Sequence, residues 1–403
     1  MKKWNNVLAG TVLFAIVTGS LHAGAPEAQV NVNDPDRQNA VLLYQQRKMA
    51  EAAAALEMVV TRYPADASAH EMLGASLLGR AAGQTDPNLA KADRLRARKE
   101  LLRAQELGDS SDLCRILLAD IPEDGSTTPL SSKADVDAAL REGEAAFSKA
   151  DWPTAIAAYT RAWNLDPSQP VAALFLGDTY YSMKDMDQAE RWFAKAVHAD
   201  PNTETAYRYW GDALMLQGRM KEARAKYIEG IVAEPYRATS TVGLRKWLSA
   251  NGLQWKAPPI TLPAGPKSDK DGKIEIPVDQ SMLKDPDGAA AWLIYLGVRS
   301  SWMTKDFLAA FPAEKTYRHS LAEELAALTT TVAFGQMPVD KEKPKRSATL
   351  EALAKLSQEG LLEAFTLLSN ADAELAKDYP AYRDAHRDKL IAYLDEYLVP
   401  AAP

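Results

Sequence analysis

Cysteine is almost absent from this 403-residue chain, which contains one, Cys114. A single thiol excludes an internal disulfide framework and any zinc site built on two or four cysteines. Basic residues are not in excess either, because 47 lysines and arginines stand against 54 aspartates and glutamates, a formal charge of −7. This balance argues against a nucleic-acid-binding surface. No nucleotide-binding or hydrolase motif occurs, so the sequence predicts no catalytic residue, metal ligand or cofactor.

Long hydrophobic runs are lacking too, apart from one near the N-terminus. Lys2 and Lys3 precede an apolar stretch over 7–17, and small residues lead up to Ala23. This order is typical of a secretory signal peptide, and we place cleavage after Ala23. The stretch is shorter than the ~20 apolar residues of a membrane span, although an uncleaved anchor is the alternative. We therefore predict secretion across the inner membrane to the periplasm, with no membrane span after cleavage and with Cys114 buried in an apolar helix.

A 34-residue period organises the middle of the chain. Four columns recur three times in register: the glycine column (Gly143, Gly177, Gly211), the alanine column (Ala155, Ala189, Ala223), the aromatic column (Tyr159, Phe193, Tyr227) and the proline column (Pro167, Pro201, Pro235). Such a period indicates stacked helical hairpins. The small residues let the two helices of a hairpin approach closely, while the aromatic residue fills the space beside them.

This pattern resembles the tetratricopeptide repeat family, whose helix–turn–helix unit carries Trp-Leu-Gly-Tyr, Ala, Phe, Ala and Pro at fixed offsets. The most similar unit contains Leu176, Gly177, Tyr180, Ala189, Phe193, Ala196 and Pro201. The preceding unit departs from the family at Glu142, and the following unit departs at Gly230. The resemblance covers 136–237 clearly and 33–108 weakly.

We predict an all-α protein, in which a tetratricopeptide-type helical-hairpin solenoid is followed by a small C-terminal helical bundle. The expected order is a signal peptide (1–23), degenerate repeat-like hairpins (33–120), a linker (121–135), three repeats (136–237), a capping helix (238–256), a proline-rich linker (257–285) and a C-terminal helical domain (286–403). Periodicity in the last part predicts helices over about 287–303, 314–334, 348–369 and 380–398. A turn at 269–272 and a short strand pair near 274–278 are also expected.

By resemblance to the family, the first helix of each repeat lines a concave groove. The matching positions are Leu140, Glu144 and Phe147; Leu174, Asp178 and Tyr181; and Arg208, Asp212 and Met215. We take seven of them as candidate partner-binding residues: Glu144, Phe147, Asp178, Tyr181, Arg208, Asp212 and Met215. Glu144, Asp178 and Asp212 form an acidic column, which favours a protein or peptide segment with basic and apolar side chains. The alternative is that these acids only solvate a face of the array.

The preferred interpretation is therefore an exported, non-catalytic interaction scaffold that binds a partner segment in this groove. The competing interpretation is an enzyme or ligand-binding protein whose site lies in the C-terminal domain, with the repeats as recruiter. Its candidate residues are Trp292, Arg299, Tyr317, His319 and Glu323, which would have to converge in one pocket. His319 and Glu323 are four residues apart, so we predict a pair on a helix surface or a charge at a helix N-terminus rather than a metal site.

Overall fold

The computed structural model describes residues 31–84, 86–127, 129–237, 239–268, 274–276, 289–335 and 347–402. The predicted signal peptide at 1–23 and the predicted turn at 269–272 lie outside these residues. Among the described helices, each one is too short or too polar to traverse a bilayer. The chain divides into two compact units, with the boundary between Arg245 and Lys246. That boundary falls inside the segment predicted as a capping helix.

The first unit is built from helices joined by short turns. They are α1 (Pro35–Gln45), α2 (Met49–Arg62), α3 (Ala67–Ala82), α4 (Pro87–Glu106), α5 (Asp112–Asp120), α6 (Ala134–Phe147), α7 (Trp152–Leu165), α8 (Pro170–Ser182), α9 (Met186–Ala199), α10 (Glu204–Leu216), α11 (Met220–Ala233) and α12 (Val242–Ala250), in which the unit ends. Neighbouring helices pack as hairpins, α1 with α2, α3 with α4, α6 with α7, α8 with α9 and α10 with α11. The predicted all-α, helical-hairpin solenoid is confirmed.

The glycine and aromatic columns meet inside the last three hairpins. A Cβ atom added to Gly143, Gly177 or Gly211 would lie 2.2, 2.5 or 2.5 Å from the ring of the aromatic residue in the same hairpin. These rings are at most 1% exposed, so they cannot move aside without disturbing the core. Glycine is therefore required at these positions because the ring lies directly on the backbone of the first helix.

Among the described residues of the first unit, one hydrophobic core extends from Ala40 to Ile121 and another from Leu130 to Tyr209. Helix α5, between the second and third hairpins, contributes Cys114 to the first core, where its Sγ donates to the carbonyl oxygen of Leu101 at 3.3 Å. Burial raises the pKa of this thiol to about 12. The prediction of a buried, helical Cys114 is confirmed.

The second unit is also mainly helical. Its helices are α13 (Ala289–Ser301), α14 (Phe307–Ala310), α15 (Leu321–Gly335), α16 (Ala348–Glu359), α17 (Leu362–Ser369) and α18 (Tyr379–Tyr393), with π-helical turns at Trp302–Asp306 and Leu394–Leu398 and a 3₁₀ turn at Leu375–Asp378. Strand β1 (Lys267–Ser268) pairs antiparallel with β2 (Ile274–Glu275), the short pair that the sequence predicts near this point. Helix α13 packs against α15, and this contact positions the polar cluster described below.

Two helices of this unit differ from the sequence expectation. The single helix predicted over 348–369 is wrong, because Gly360 adopts φ = +67° and ends α16 in the left-handed conformation that favours glycine. The helix predicted over 314–334 begins later, at Leu321. Ser320 precedes it and accepts a hydrogen bond from the backbone N–H of Glu323 at 3.3 Å through its Oγ, an N-terminal cap that fixes the start of the helix.

Candidate functional site

The acidic column lies on the first helices of the last three hairpins, and it is buried. Glu144 on α6, Asp178 on α8 and Asp212 on α10 are 7%, 2% and 8% exposed. The alternative that these acids only solvate a face is therefore wrong. Because a buried carboxylate is costly unless it is hydrogen-bonded or paired, each of the three acids needs a partner.

Two members of the acidic column find that partner in the second helix of their own hairpin. The Tyr159 hydroxyl donates to Glu144 Oε1 at 2.6 Å, and the Tyr227 hydroxyl donates to Asp212 Oδ1 at 2.7 Å. Both pairs join residues 15 positions apart. The repeat period thus reproduces the same polar link between the two helices of the third and fifth hairpins.

The fourth hairpin, between them, lacks this link. Phe193 occupies the position of the two tyrosines in the aromatic column and has no hydroxyl to donate. Within the described part of the chain, Asp178 Oδ1 has no hydrogen-bond partner. A buried polar atom left unsatisfied costs roughly 1–3 kcal/mol. Asp178 is therefore an acid that its own hairpin buries without satisfying.

Burial also changes the protonation of these acids. Desolvation raises the pKa of Glu144 to about 7, although the hydrogen bond from Tyr159 opposes the shift, and the charge of Asp178 adds to it. Desolvation likewise raises the pKa of Asp178 to about 6, and the positive charges of Arg47 and Arg208 oppose this shift. The column therefore carries less negative charge near neutral pH than three exposed acids would.

One turn along the same helices lie Phe147, Tyr181 and Met215. Phe147 is buried, whereas the other two are half-buried. Two of these residues contact cations of the chain itself: the guanidinium carbon of Arg47 lies 5.3 Å from the Phe147 ring centroid, and Lys184 Nζ lies 5.5 Å from that of Tyr181. Such cation–π contacts are favourable when the cation lies within about 6 Å of the ring centroid.

Arg208, the seventh predicted residue, is held within its own helix. Its Nε donates to Glu204 Oε1 at 2.7 Å, and its guanidinium carbon lies 4.7 Å from the Tyr209 ring centroid. At 8% exposure, Arg208 supplies positive charge to the acidic column rather than an accessible side chain. The partners of the acidic column were missed from sequence, because the aromatic column faces it only once each hairpin has formed.

The rival cluster in the second unit also converges, with one exception. Arg299 Nε and the Tyr317 hydroxyl both donate to Glu323 Oε1 at 3.0 Å. Of the two predicted roles, the helix-surface pair is wrong, because His319 precedes α15 and its Nε2 lies 2.9 Å from Glu324 Oε2. The charge at a helix N-terminus is confirmed, because Glu323 lies in the first turn of α15. Trp292 is 4% exposed and lies edge-on to Tyr295 at 6.0 Å.

Three residues of this cluster were missed from sequence. The Tyr295 hydroxyl donates to Glu324 Oε1 at 2.7 Å, and His319 Nδ1 lies 2.7 Å from Asp372 Oδ2. Both ring nitrogens of His319 are therefore engaged, and the described residues contain no group of three or more His, Cys, Asp or Glu suited to a metal ion. Glu323 and Glu324 are 0% exposed, so the cluster is an internal polar network.

Comparison with known proteins finds repeats in two segments. Residues 146–209 match one tetratricopeptide repeat family model, and residues 40–66 match another. No curated protein matches the chain. Among solved structures, the Arabidopsis OM64 TPR domain is 25% identical, with 29% of this chain and 96% of that chain covered and a TM-score of 0.27. The first TPR of Spaghetti (RPAP3), bound to an HSP90 peptide, is 26% identical, with 29% and 94% covered and a TM-score of 0.28. Pseudomonas aeruginosa pilF is 16% identical, with 70% and 97% covered and a TM-score of 0.26.

Proposed function

Because residues 40–66 and 146–209 carry tetratricopeptide repeats, we propose that this protein is an exported scaffold that binds a segment of a partner protein along the inner helices of its repeat array. Stacked hairpins create extended concave surfaces, which solenoid proteins use for binding. The repeats support an interaction scaffold in general, and the repeated inner-helix pattern along α6, α8 and α10 is the basis for proposing the more specific groove.

The observation that carries the groove is the threefold repetition of one inner-helix pattern. An acid recurs every 34 residues, and one turn away from it recurs an apolar or aromatic side chain, Phe147, Tyr181 or Met215. Glu144 also borders a cavity of about 560 Å³ whose lining includes Leu78, Arg94 and Leu130. Tyr181 and Met215 are the half-buried members of this pattern, and together with the buried acids beside them they favour a partner segment with basic and apolar side chains.

The experiment for the groove compares residues of the inner helices with exposed residues on the second helices of other hairpins in the array. The full-length protein is immobilised and incubated with envelope extract, and retained proteins are quantified by mass spectrometry. The inner variant is Tyr181→Ala with Met215→Ala, and the matched outer variant is Met58→Ala with Leu165→Ala, whose native side chains are 60% and 43% exposed. We expect wild type and the outer variant to retain the same protein and the inner variant to lose it about tenfold. Equal retention by all three would contradict the proposed groove.

Export is tested separately. The basic start at Lys2 and Lys3, the apolar stretch over 7–17 and the small residue Ala23 support a cleaved signal peptide. We expect the protein recovered from a periplasmic fraction to begin at Gly24 when its intact mass is measured. Recovery of the unprocessed chain from the cytoplasm would contradict export, and recovery of the unprocessed chain from membranes would indicate an anchor.

A further inference from the structure

The fourth hairpin (α8 and α9) differs from its two neighbours by one missing hydroxyl group. Packing does not impose this difference: a Cβ atom on Gly177 would lie 2.5 Å from the Phe193 ring, and one on Gly211 would lie equally close, 2.5 Å, to the Tyr227 ring. The phenylalanine ring therefore occupies the same place against the first helix as the tyrosine rings do. By analogy with Tyr159 and Tyr227, we expect a tyrosine to fit there and to donate to Asp178, yet the chain carries phenylalanine.

The surroundings of Asp178 already accommodate cations against aromatic rings. Arg47 lies over Phe147 at 5.3 Å, and Arg208 lies over Tyr209 at 4.7 Å. The charges of both arginines act on Asp178, since each opposes the rise of its pKa to about 6. In addition, Lys184 lies over the ring of Tyr181. Tyr181 is three residues from Asp178 along α8, and besides desolvation the charge of Asp178 contributes to the raised pKa of Tyr181. This part of the inner wall thus combines an unsatisfied carboxylate oxygen with aromatic faces that hold guanidinium and ammonium groups.

We propose that Asp178 is the anchor for one arginine or lysine side chain of the partner segment. This proposal depends on the groove proposed above. The partner's cation donates to Asp178 Oδ1, the hydrogen bond that a tyrosine supplies in the neighbouring hairpins. Asp178 is 2% exposed, so the cation enters by taking the place of the half-buried Arg47 side chain over Phe147. Phe193 then keeps Asp178 Oδ1 available to the partner, because the hydroxyl of a tyrosine would occupy that hydrogen-bonding position.

The test uses two fluorescent 12-residue peptides, one of alternating arginine and leucine and one of alternating citrulline and leucine. Citrulline has nearly the shape of arginine without its charge. Binding to the full-length protein is measured by fluorescence anisotropy at pH 7.5 for wild type, Phe193→Tyr and Asp178→Asn. The control is Asp187→Asn, which removes an exposed acid of the same hairpin and gives the same net charge as Asp178→Asn.

We expect wild type and Asp187→Asn to prefer the arginine peptide by about tenfold, a difference of about 1.4 kcal/mol. Phe193→Tyr and Asp178→Asn should lose most of this preference. If both variants keep it, Asp178 is not the anchor. If wild type binds neither peptide, the proposed groove for basic and apolar segments fails instead. A urea midpoint of Phe193→Tyr at or above that of wild type shows that the variant is folded.

Discussion

The two compact units bury carboxylates in different ways. In the first unit two acids of the acidic column, Glu144 and Asp212, each depend on one hydroxyl from the facing helix, as in the pair of Tyr159 with Glu144. In the second unit Glu323 and Glu324 share the guanidinium of Arg299, whose nitrogens lie 3.0 and 3.3 Å from them. A repeat can therefore lose one partner and leave a single unsatisfied acid, whereas the loss of Arg299 would leave two buried glutamates without their shared cation.

The largest expected effect follows from removing that shared cation. Arg299→Met should lower the free energy of unfolding by about 3–5 kcal/mol, because it leaves buried charges uncompensated. Urea unfolding at pH 7 measures the loss. The matched control combines Arg299→Met with Glu323→Gln and Glu324→Gln, which removes the charges together and should recover much of the stability. A loss below about 1 kcal/mol for the single variant would show that the glutamates do not depend on Arg299.

A smaller effect is expected when one hydroxyl is removed from the acidic column. Tyr159→Phe should cost roughly 1–3 kcal/mol of unfolding free energy, the usual penalty for an unsatisfied buried acceptor. The Tyr159 hydrogen bond favours the ionised form of Glu144, whose pKa desolvation raises to about 7. The cost should therefore be greater at pH 8 than at pH 5, as measured by urea unfolding at both values. Tyr180→Phe, at a half-buried tyrosine outside both columns, is the control that should change stability little.

The pH dependence of the second unit distinguishes its shared network from the paired acids of the first. Desolvation lowers the pKa of His319, but hydrogen bonds to Glu324 and Asp372 outweigh it and raise the pKa above the ordinary 6.5. Because the folded pKa is raised, this stabilisation is complete below pH 6.5 and is lost as pH rises through the folded pKa. His319→Gln should lower the free energy of unfolding at pH 6 by on the order of 1 kcal/mol. It should also reduce the decline of that free energy as pH rises above 6. A slope unchanged from wild type, or equally altered by His198→Gln, would exclude His319 as its source.

The smallest expected effect is a gain in the fourth hairpin. Phe193→Tyr should raise the free energy of unfolding by about 0.5–1.5 kcal/mol, because its hydroxyl would reach Asp178 as Tyr227 reaches Asp212. Thermal unfolding at pH 7.5 measures the gain. Phe175→Tyr is the matched control, because Phe175 is 1% exposed but lies outside the aromatic column, and its new hydroxyl should destabilise the fold. A loss of stability in Phe193→Tyr would show that its ring does not occupy the tyrosine position.

The repeat architecture could be predicted because the residues that determine it recur at fixed positions in the sequence. Each glycine of the 34-residue register faces a ring in the next helix, so a side chain at the glycine position would disrupt the hairpin. The acidic column was visible for the same reason. Its link to the aromatic column was not, because residues 15 apart meet only after two helices have folded against each other.

The second unit was harder to predict because its contacts do not repeat. The pairing of His319 with Glu323 assumed that both residues lie on one helix, whereas the cap at Ser320 places His319 before the first turn. Asp372 reaches His319 across 53 residues, a separation that no local pattern reveals. Gly360 could have indicated the end of a helix, since glycine is common just after a helix end. The helical periodicity on both sides of it concealed this indication.

The two hydrophobic cores described in the first unit have a consequence for how it comes apart. In a linear array, cooperativity passes only between adjacent hairpins. The first core ends at Ile121 and the second begins at Leu130, and between them α3 contacts α6 over a smaller interface than the one between α7 and α8, so this transmission is weakest there. Amide protons of α1–α4 and of α6–α9 should therefore exchange with solvent as two separate groups, each with its own opening energy. The array would thus open as two groups of hairpins rather than as one cooperative unit.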